Sequence, residues 1–284
     1  MIKRLAWVTT EPARGTDEDE APALAALARL GVSVDVLNWD DPRVEWSSYD
    51  RAVLRSPWDY QHRLPEFLGW LESASELTEL VNPLEMIRWN LDKRYLGELH
   101  AAGIAITPTA FAQPGEDPTF PEGDFVVKPA IGAGSRDAAS YGPGQHVLAH
   151  AHVARLHAAG LTVLVQPQLA SVAELGEWPL VFFGGRFSHS ASKRVNLPRG
   201  SSITEFFAPE ENAPYVATSE QIELAQGVVD AVGQRFGTPT YARVDLVQAD
   251  DGSPLVLELE LIEPSLFIPW ADGAANRLAE ALAH

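Results

Sequence analysis

Residues 241–267 read YARVDLVQADDGSPLVLELELIEPSLF, and this stretch constrains the fold most. Two apolar runs, 241–248 and 254–261, flank an Asp-Asp-Gly turn. An Asp-Gly step between β-rich runs signals a hairpin, because the turn needs residues that tolerate positive φ. Asp245 interrupts the first run. Glu258 and Glu260 stand two apart in the second, so on a strand they share a face. Pairing the runs brings three carboxylates together beside Arg243. Bare, they would repel one another. Mg²⁺ prefers oxygen ligands and keeps room for phosphate oxygens, so Asp245, Glu258 and Glu260 are candidate metal ligands, with Mn²⁺ as a substitute. A solvated sheet face explains any one of these acids more simply. All three, backed by Val, Leu and Ile on the opposite face, favour the metal.

A chain of 284 residues suits two or three compact units rather than one core. It contains no cysteine, which excludes disulfides, thiolate metal sites and cysteine nucleophiles. A net charge of −18 argues against broad nucleic-acid binding. No apolar stretch approaches the roughly 18 residues of a membrane span, and the N-terminus reads as a first strand rather than a signal peptide. A cytoplasmic protein with no membrane partner is expected.

Residues 1–88 alternate strand and helix signals. Strands are expected at 5–8, 32–39, 52–54 and 80–81, with helices at 22–30 and 65–74. That order predicts a small parallel α/β unit. The acidic run 16–20 reads as a solvated helix start that suits the helix dipole. Arg55-Ser-Pro-Trp58-Asp-Tyr60 follows a strand, where ligands of open α/β sheets bind. Arg55 beside Trp58 could hold a substrate carboxylate bidentately; equally, the segment is a Pro turn whose aromatics cover the sheet end.

The second unit spans 89–165. A helix is expected over 91–101 with Lys93 in its first turn, where a cation is unfavourable. That position invites a phosphate partner, although a lysine reaching into water also accounts for it. Lys128 ends the buried run Phe-Val-Val, and Gly132, Gly134, Ser135 and Arg136 follow. Glycines permit close backbone approach to phosphate, yet the lysine precedes them, so this is not a Walker A loop. The stretch 113–123 reads as a loop within the unit. The helix 145–159 carries four histidines, read as an exposed face.

The third unit, 166–284, opens at Gln166-Pro-Gln168-Leu169, followed by Glu174 and Glu177. A strand over 186–193 ends in Lys193-Arg194; one of the two could face a nucleotide and the other a substrate. Residues 196–207 read as a loop over the site. Thr218-x-x-Gln221 is a capping-box signature opening a helix to Phe236. A last helix covers 272–283.

Taken together, Lys93, Lys128, the glycine loop, the carboxylate hairpin and Arg243 resemble the ATP-grasp ligases over essentially the whole chain. Glu258-Leu-Glu260 stands where that fold carries Glu-x-Asn, a departure that keeps an oxygen ligand and adds a charge. The motifs at 55–60, 90–96, 128–137 and 258–264 are similar to those of the D-cycloserine synthetase group, O-ureido-D-serine cyclo-ligases. The resemblance implies an α/β ATP-grasp fold behind an N-terminal parallel α/β unit. It implies ATP and Mg²⁺ as cofactors, with adenine near Gln166, Gln168 and Leu169 and ribose at Glu174. Lys93, Lys128, Gly132, Gly134 and Ser135 would meet the phosphates. Arg243 and Lys193 would be catalytic, and Arg55, Trp58, Arg136 and Arg194 would line the substrate pocket. The implied reaction makes an acyl phosphate from a small amino-acid-like carboxylate, then joins it to a nitrogen. A ligase of amino acids or peptides is the alternative. A nucleotide-binding protein without activity is a third reading, opposed by retention of both early lysines and all three carboxylates. Many relatives are dimers, so a homodimer stays open.

Overall fold

A computed structural model of the chain describes residues 1–132, 134–195, 199–201 and 210–284; most of the loop expected at 196–207 lies outside them. Four strands, β1 (Arg4–Thr9), β2 (Ser33–Asn38), β3 (Arg51–Ser56) and β4 (Glu79–Leu80), form a parallel sheet in the order β2-β1-β3-β4. Strand β1 is covered on both faces, which is why its sequence is continuously apolar. Leu5 and Trp7 pack with Ala23 and Leu27 of α1 (Glu20–Arg29). Ala6 and Val8 pack with Phe67 and Leu71 of α2 (Leu64–Leu77) on the other face.

The helix expected over 91–101 starts only at Tyr95, as α4 (Tyr95–Ala101), and a separate helix that was not expected, α3 (Leu84–Asn90), precedes it. The break has identifiable partners. The Asn90 amide donates to the Leu259 carbonyl (2.9 Å) and accepts from the Leu261 N–H (2.7 Å). The Asp92 carboxylate then accepts the Arg94 N–H at 3.0 Å, a local bond that competes with helix. Lys93 therefore sits in the turn between the helices rather than in a helical turn, and its N–H donates to the Ala130 carbonyl at 2.9 Å.

A second sheet is antiparallel, with β5 (Ala110–Ala112), β6 (Phe125–Pro129), β7 (Ala139–Tyr141) and β8 (Val163–Pro167) in the order β5-β8-β6-β7. The boundary expected at 165 falls inside β8. One face, with Phe125, Val127 and Val165, packs on Val153 and Leu156 of α5 (His146–Ala158). On that helix His146 and His150 are exposed. His152 is buried against the Tyr141 hydroxyl at 2.9 Å, and His157 contacts the Ala112 carbonyl at 3.1 Å, so the expected histidine face is corrected to two exposed side chains.

After the short α6 (Ala170–Leu175), the third sheet contains β9 (Trp178–Phe183), β10 (Arg186–Val195), β11 (Glu210–Tyr215), β12 (Tyr241–Gln248) and β13 (Pro254–Glu260), ordered β11-β10-β9-β12-β13. Helix α7 (Ser219–Phe236) carries both bonds of the capping box at Thr218 and Gln221. Its Val228 and Val232 pack on Phe182, Val244 and Leu246. Alternation along β12 then sends Arg243 and Asp245 to the opposite face. Helix α8 (Ala274–Ala283) packs beside α1 in the core shared with the first sheet. Tyr241 joins these layers: its hydroxyl lies 3.1 Å from the Leu54 carbonyl and 2.6 Å from that of Ile262. Among the described residues no helix is long and apolar enough to cross a membrane.

Candidate active site

The β12–β13 register sets Asp245 opposite Glu258 and Arg243 opposite Glu260. Arg243, Glu258 and Glu260 face a cleft of about 340 Å³, lined also by Lys93, Lys128, Lys193 and the loop after β6, with Asp245 buried beneath Arg243. Lys93 comes from the α3–α4 turn, Lys128 from β6 and Lys193 from β10, so all three sheets or their connections supply a wall.

Charges in the cleft are paired at close range. Lys93 Nζ lies 3.1 Å from Glu258 Oε1, and Lys128 Nζ lies 3.4 Å from Oε2. Lys193 Nζ lies 3.0 Å from Asp245 and 2.7 Å from Glu177. Arg243 forks onto Asp245 through Nε (2.7 Å) and Nη2 (2.9 Å), and Nη2 also donates to Glu260. Desolvating so many ions is costly unless each keeps a partner. Such a buried cluster is therefore better explained by a task than by stability.

The ionisation states follow from this packing. Burial alone would raise the Glu258 carboxyl, but Lys93, Lys128 and Lys193 reverse that and hold it well below the usual carboxylate range. For Asp245, burial is outweighed by Arg243 and Lys193, and its pKa is lowered. Burial pushes Glu260 up to about 7, with Glu258 and Asp245 adding to the rise and Arg243 opposing it. Burial also works against the charge on Lys193, yet Asp245 and Glu177 keep it protonated, with the pKa raised well above the lysine value.

Asp245, Glu258 and Glu260, expected to gather around one cation, are paired here with cations of the protein itself. They share a face, but Arg243 bridges Asp245 and Glu260 while two lysines occupy Glu258. Among the described residues no three His, Asp or Glu side chains are grouped closely enough to hold a metal ion. Their donor chemistry, all carboxylate oxygen, still suits Mg²⁺.

The glycine loop reaches the cleft through Gly132, Gly134, Ser135 and Arg136. The Gly132 carbonyl accepts from Lys93 Nζ at 2.9 Å. Gly134 and Ser135 both have positive φ, 62° and 60°, a conformation glycine adopts freely and serine does not. Trp58 also lines the cleft, its Nε1 donating to the Glu263 carbonyl at 3.4 Å.

Other expected site residues lie elsewhere. Arg55 is fully buried behind the cleft wall, where Nη2 donates to the Pro264 carbonyl (2.7 Å) and to Asp19 (3.3 Å); direct substrate contact is corrected to a structural tie. Strand alternation turns Lys193 inward and leaves Arg194 exposed, donating to the Glu174 carbonyl at 2.7 Å, so Arg194 is corrected out of the pocket. Gln166, Gln168, Leu169 and Glu174 do not line this cleft. Gln166 stands on the same face of the second sheet as Lys128, and its amide donates to the Thr109 hydroxyl at 2.9 Å. Glu174 is exposed on α6, whereas Glu177 turns toward Lys193.

Three features escaped the sequence reading. Glu177 is the second partner of Lys193. The acidic run 16–20 is not a solvated helix start: Asp17 and Asp19 are buried. Asp19 accepts the N–H groups of Leu266 (2.5 Å) and Ile268 (2.8 Å). It thereby holds the segment after β13 in place, with Phe267 left-handed at φ 51°. Glu263 also lines the cleft; its place in the acidic run 258–263 was the only available signal.

Comparison with known proteins gives consistent findings. The family model for the N-terminal domain of D-cycloserine synthetase DcsG matches residues 5–82. The cycloserine biosynthesis protein DcsG of Streptomyces lavendulae is 38% identical, over 98% of this chain and 97% of its own. A crystal structure of D-cycloserine synthetase DcsG superposes with a TM-score of 0.92 at 37% identity, covering 99% of this chain and 98% of that one. D-alanine–D-alanine ligase from Bacillus anthracis, complexed with ATP, gives 0.65 at 17% identity, covering 99% and 96%. The ATP-grasp ligase PsnB, complexed with a precursor variant, Mg and ADP, gives 0.62 at 16% identity, covering 98% and 97%. The last two likenesses concern the fold, and the mixed α/β architecture is that of the ATP-grasp ligases.

Proposed function

The chain belongs to the D-cycloserine synthetase family of ATP-grasp ligases, and from that footing we propose that it activates the carboxylate of O-ureido-D-serine with Mg·ATP and closes a ring onto a nitrogen of the same molecule. The substrate carboxylate attacks the γ-phosphorus, giving an acyl phosphate and ADP. The nitrogen then attacks the acyl carbon and phosphate leaves. The observation that carries this reading is the row Lys93, Lys128, Lys193 and Arg243 paired against acids on the cleft floor.

Lys93 and Lys128 share Glu258 and would exchange it for phosphate oxygens. Arg243 would meet the charge developing on the transferred phosphoryl group, and Trp58 and Arg136 would border the amino-acid part. Asp245, Glu258 and Glu260 would hold Mg²⁺, which supplies charge neutralisation at the phosphates. The protein's work is then positioning and electrostatic stabilisation. Adenine would extend toward Gln166, Gln168 and Leu169, on the Lys128 side of the second sheet.

The test is ADP release with Mg·ATP across a panel of amino-acid-like carboxylates, with products read by mass. Release with O-ureido-D-serine, matched one for one by a cyclised product, is expected. Release with another carboxylate and none with this one would overturn the substrate.

A further inference from the structure

Ring closure leaves a proton to place. As the C–N bond forms and the bond from the acyl carbon to the phosphate oxygen breaks, the attacking nitrogen gives up its hydrogen. The departing phosphate carries away its own electron pair, but a base beside the nitrogen lowers the barrier to its attack. Asp245, Glu258 and Glu260 are poorly suited to that task, because each is tied to lysine or arginine.

Glu263 differs. It lines the same cleft from the segment just after β13. Among the described residues no Lys, Arg or His nitrogen lies in ion-pair contact with its carboxylate. Its neighbour is a neutral phenol: buried Tyr60 lines the cleft beside it and favours its ionised form. Its own carbonyl is fixed by Trp58 Nε1, and the next carbonyl, of Pro264, by buried Arg55. The backbone behind this carboxylate is therefore held from two sides by β3 and the loop that follows it.

We propose that Glu263 is the general base of ring closure, taking the proton from the nitrogen that attacks the acyl phosphate, with Tyr60 orienting its carboxylate. The proposal rests on the cyclo-ligase reading above. Burial raises the Glu263 carboxyl to about 7, with Tyr60, Lys93, Arg55 and Arg243, the groups facing it, pulling the other way. A carboxylate poised there can accept a proton near neutrality and release it again.

Glu263→Gln separates the two half-reactions. Acyl phosphate formation is read by positional isotope exchange within ATP labelled at the β,γ-bridge, and ring closure by the cyclised product. Glu263→Gln is expected to keep exchange within about threefold of the wild type while ring closure falls about 100-fold or more. Tyr60→Phe removes a bond that favours the ionised carboxylate. It should move the acidic limb of the ring-closure pH profile to higher pH while the fold is kept. Unchanged ring closure in Glu263→Gln would overturn the proposal, as would an equal fall in exchange and closure, which would place Glu263 in substrate binding or phosphoryl transfer. An unmoved pH limb in Tyr60→Phe would remove the orienting role. Wild-type protein that shows neither exchange nor product with O-ureido-D-serine would instead overturn the reading on which the proposal rests.

Discussion

Glu258 receives Lys93 on one carboxylate oxygen and Lys128 on the other, so one side chain sets the position of both early lysines. Glu258→Gln keeps the shape and removes the charge. ADP release should fall about 100-fold or more, with the far-UV spectrum unchanged; turnover at the wild-type rate would remove Glu258 from the site. Asp17 provides a test by pH. Burial, with Asp19 adding to it and Arg55 opposing it, raises its carboxyl from 3.8 to about 6. An acid with a raised folded pKa keeps its proton longer in the folded state than in the unfolded one. Its contribution to stability therefore falls as pH climbs from about 4 to about 6, by on the order of 2–3 kcal/mol. Asp17→Asn should match the wild type in urea denaturation near pH 4 and exceed it near pH 7. This residue also marks where the sequence could mislead. Consecutive acids before a helix look solvated, and nothing local reveals that the segment after β13, some 250 residues later, supplies N–H donors to Asp19.

That segment shows how the elements cooperate. Asp19 precedes α1, Arg55 ends β3, and together they hold the turn that follows β13 through Pro264, Leu266 and Ile268. The same turn presents the Ser265 carbonyl to Arg243 at 3.1 Å. The arginine at the centre of the cleft is thus positioned partly by the first sheet. Asp19→Ala strips two buried N–H groups of their acceptor and Arg55 of the nearer of its two counter-ions. A loss of about 3–5 kcal/mol is expected, seen as a lower urea midpoint, together with reduced turnover because Ser265 no longer holds Arg243. An unchanged midpoint would show that the turn is held without Asp19. Elements with a strong local pattern were legible: β12 and the capped α7 lie where alternation and Thr218-x-x-Gln221 put them. The split between α3 and α4 was not, because its cause is Asn90 reaching strand β13. The inward turn of Lys193 over Arg194 depended on which face of the third sheet lines the cleft, which no residue of β10 states alone.

Across the whole molecule, a chain of net charge −18 concentrates three lysines and two arginines in one cleft. Mg·ADP at about 100 times its Kd should stabilise the fold by about 2.7 kcal/mol, and Lys128→Ala should need about tenfold more ligand for the same thermal shift. The fold class was legible because its parts recur in order along the chain, whereas the pairing of each acid with a base was set by three sheets meeting. The measurement that tests the account most directly follows oxygen. With O-ureido-D-serine carrying oxygen-18 in its carboxylate, one labelled atom should appear in the released phosphate for every cyclised product, because the carboxylate oxygen leaves with the phosphoryl group. Product formed while the phosphate stays unlabelled would contradict an acyl phosphate, and with it the roles assigned to the cleft.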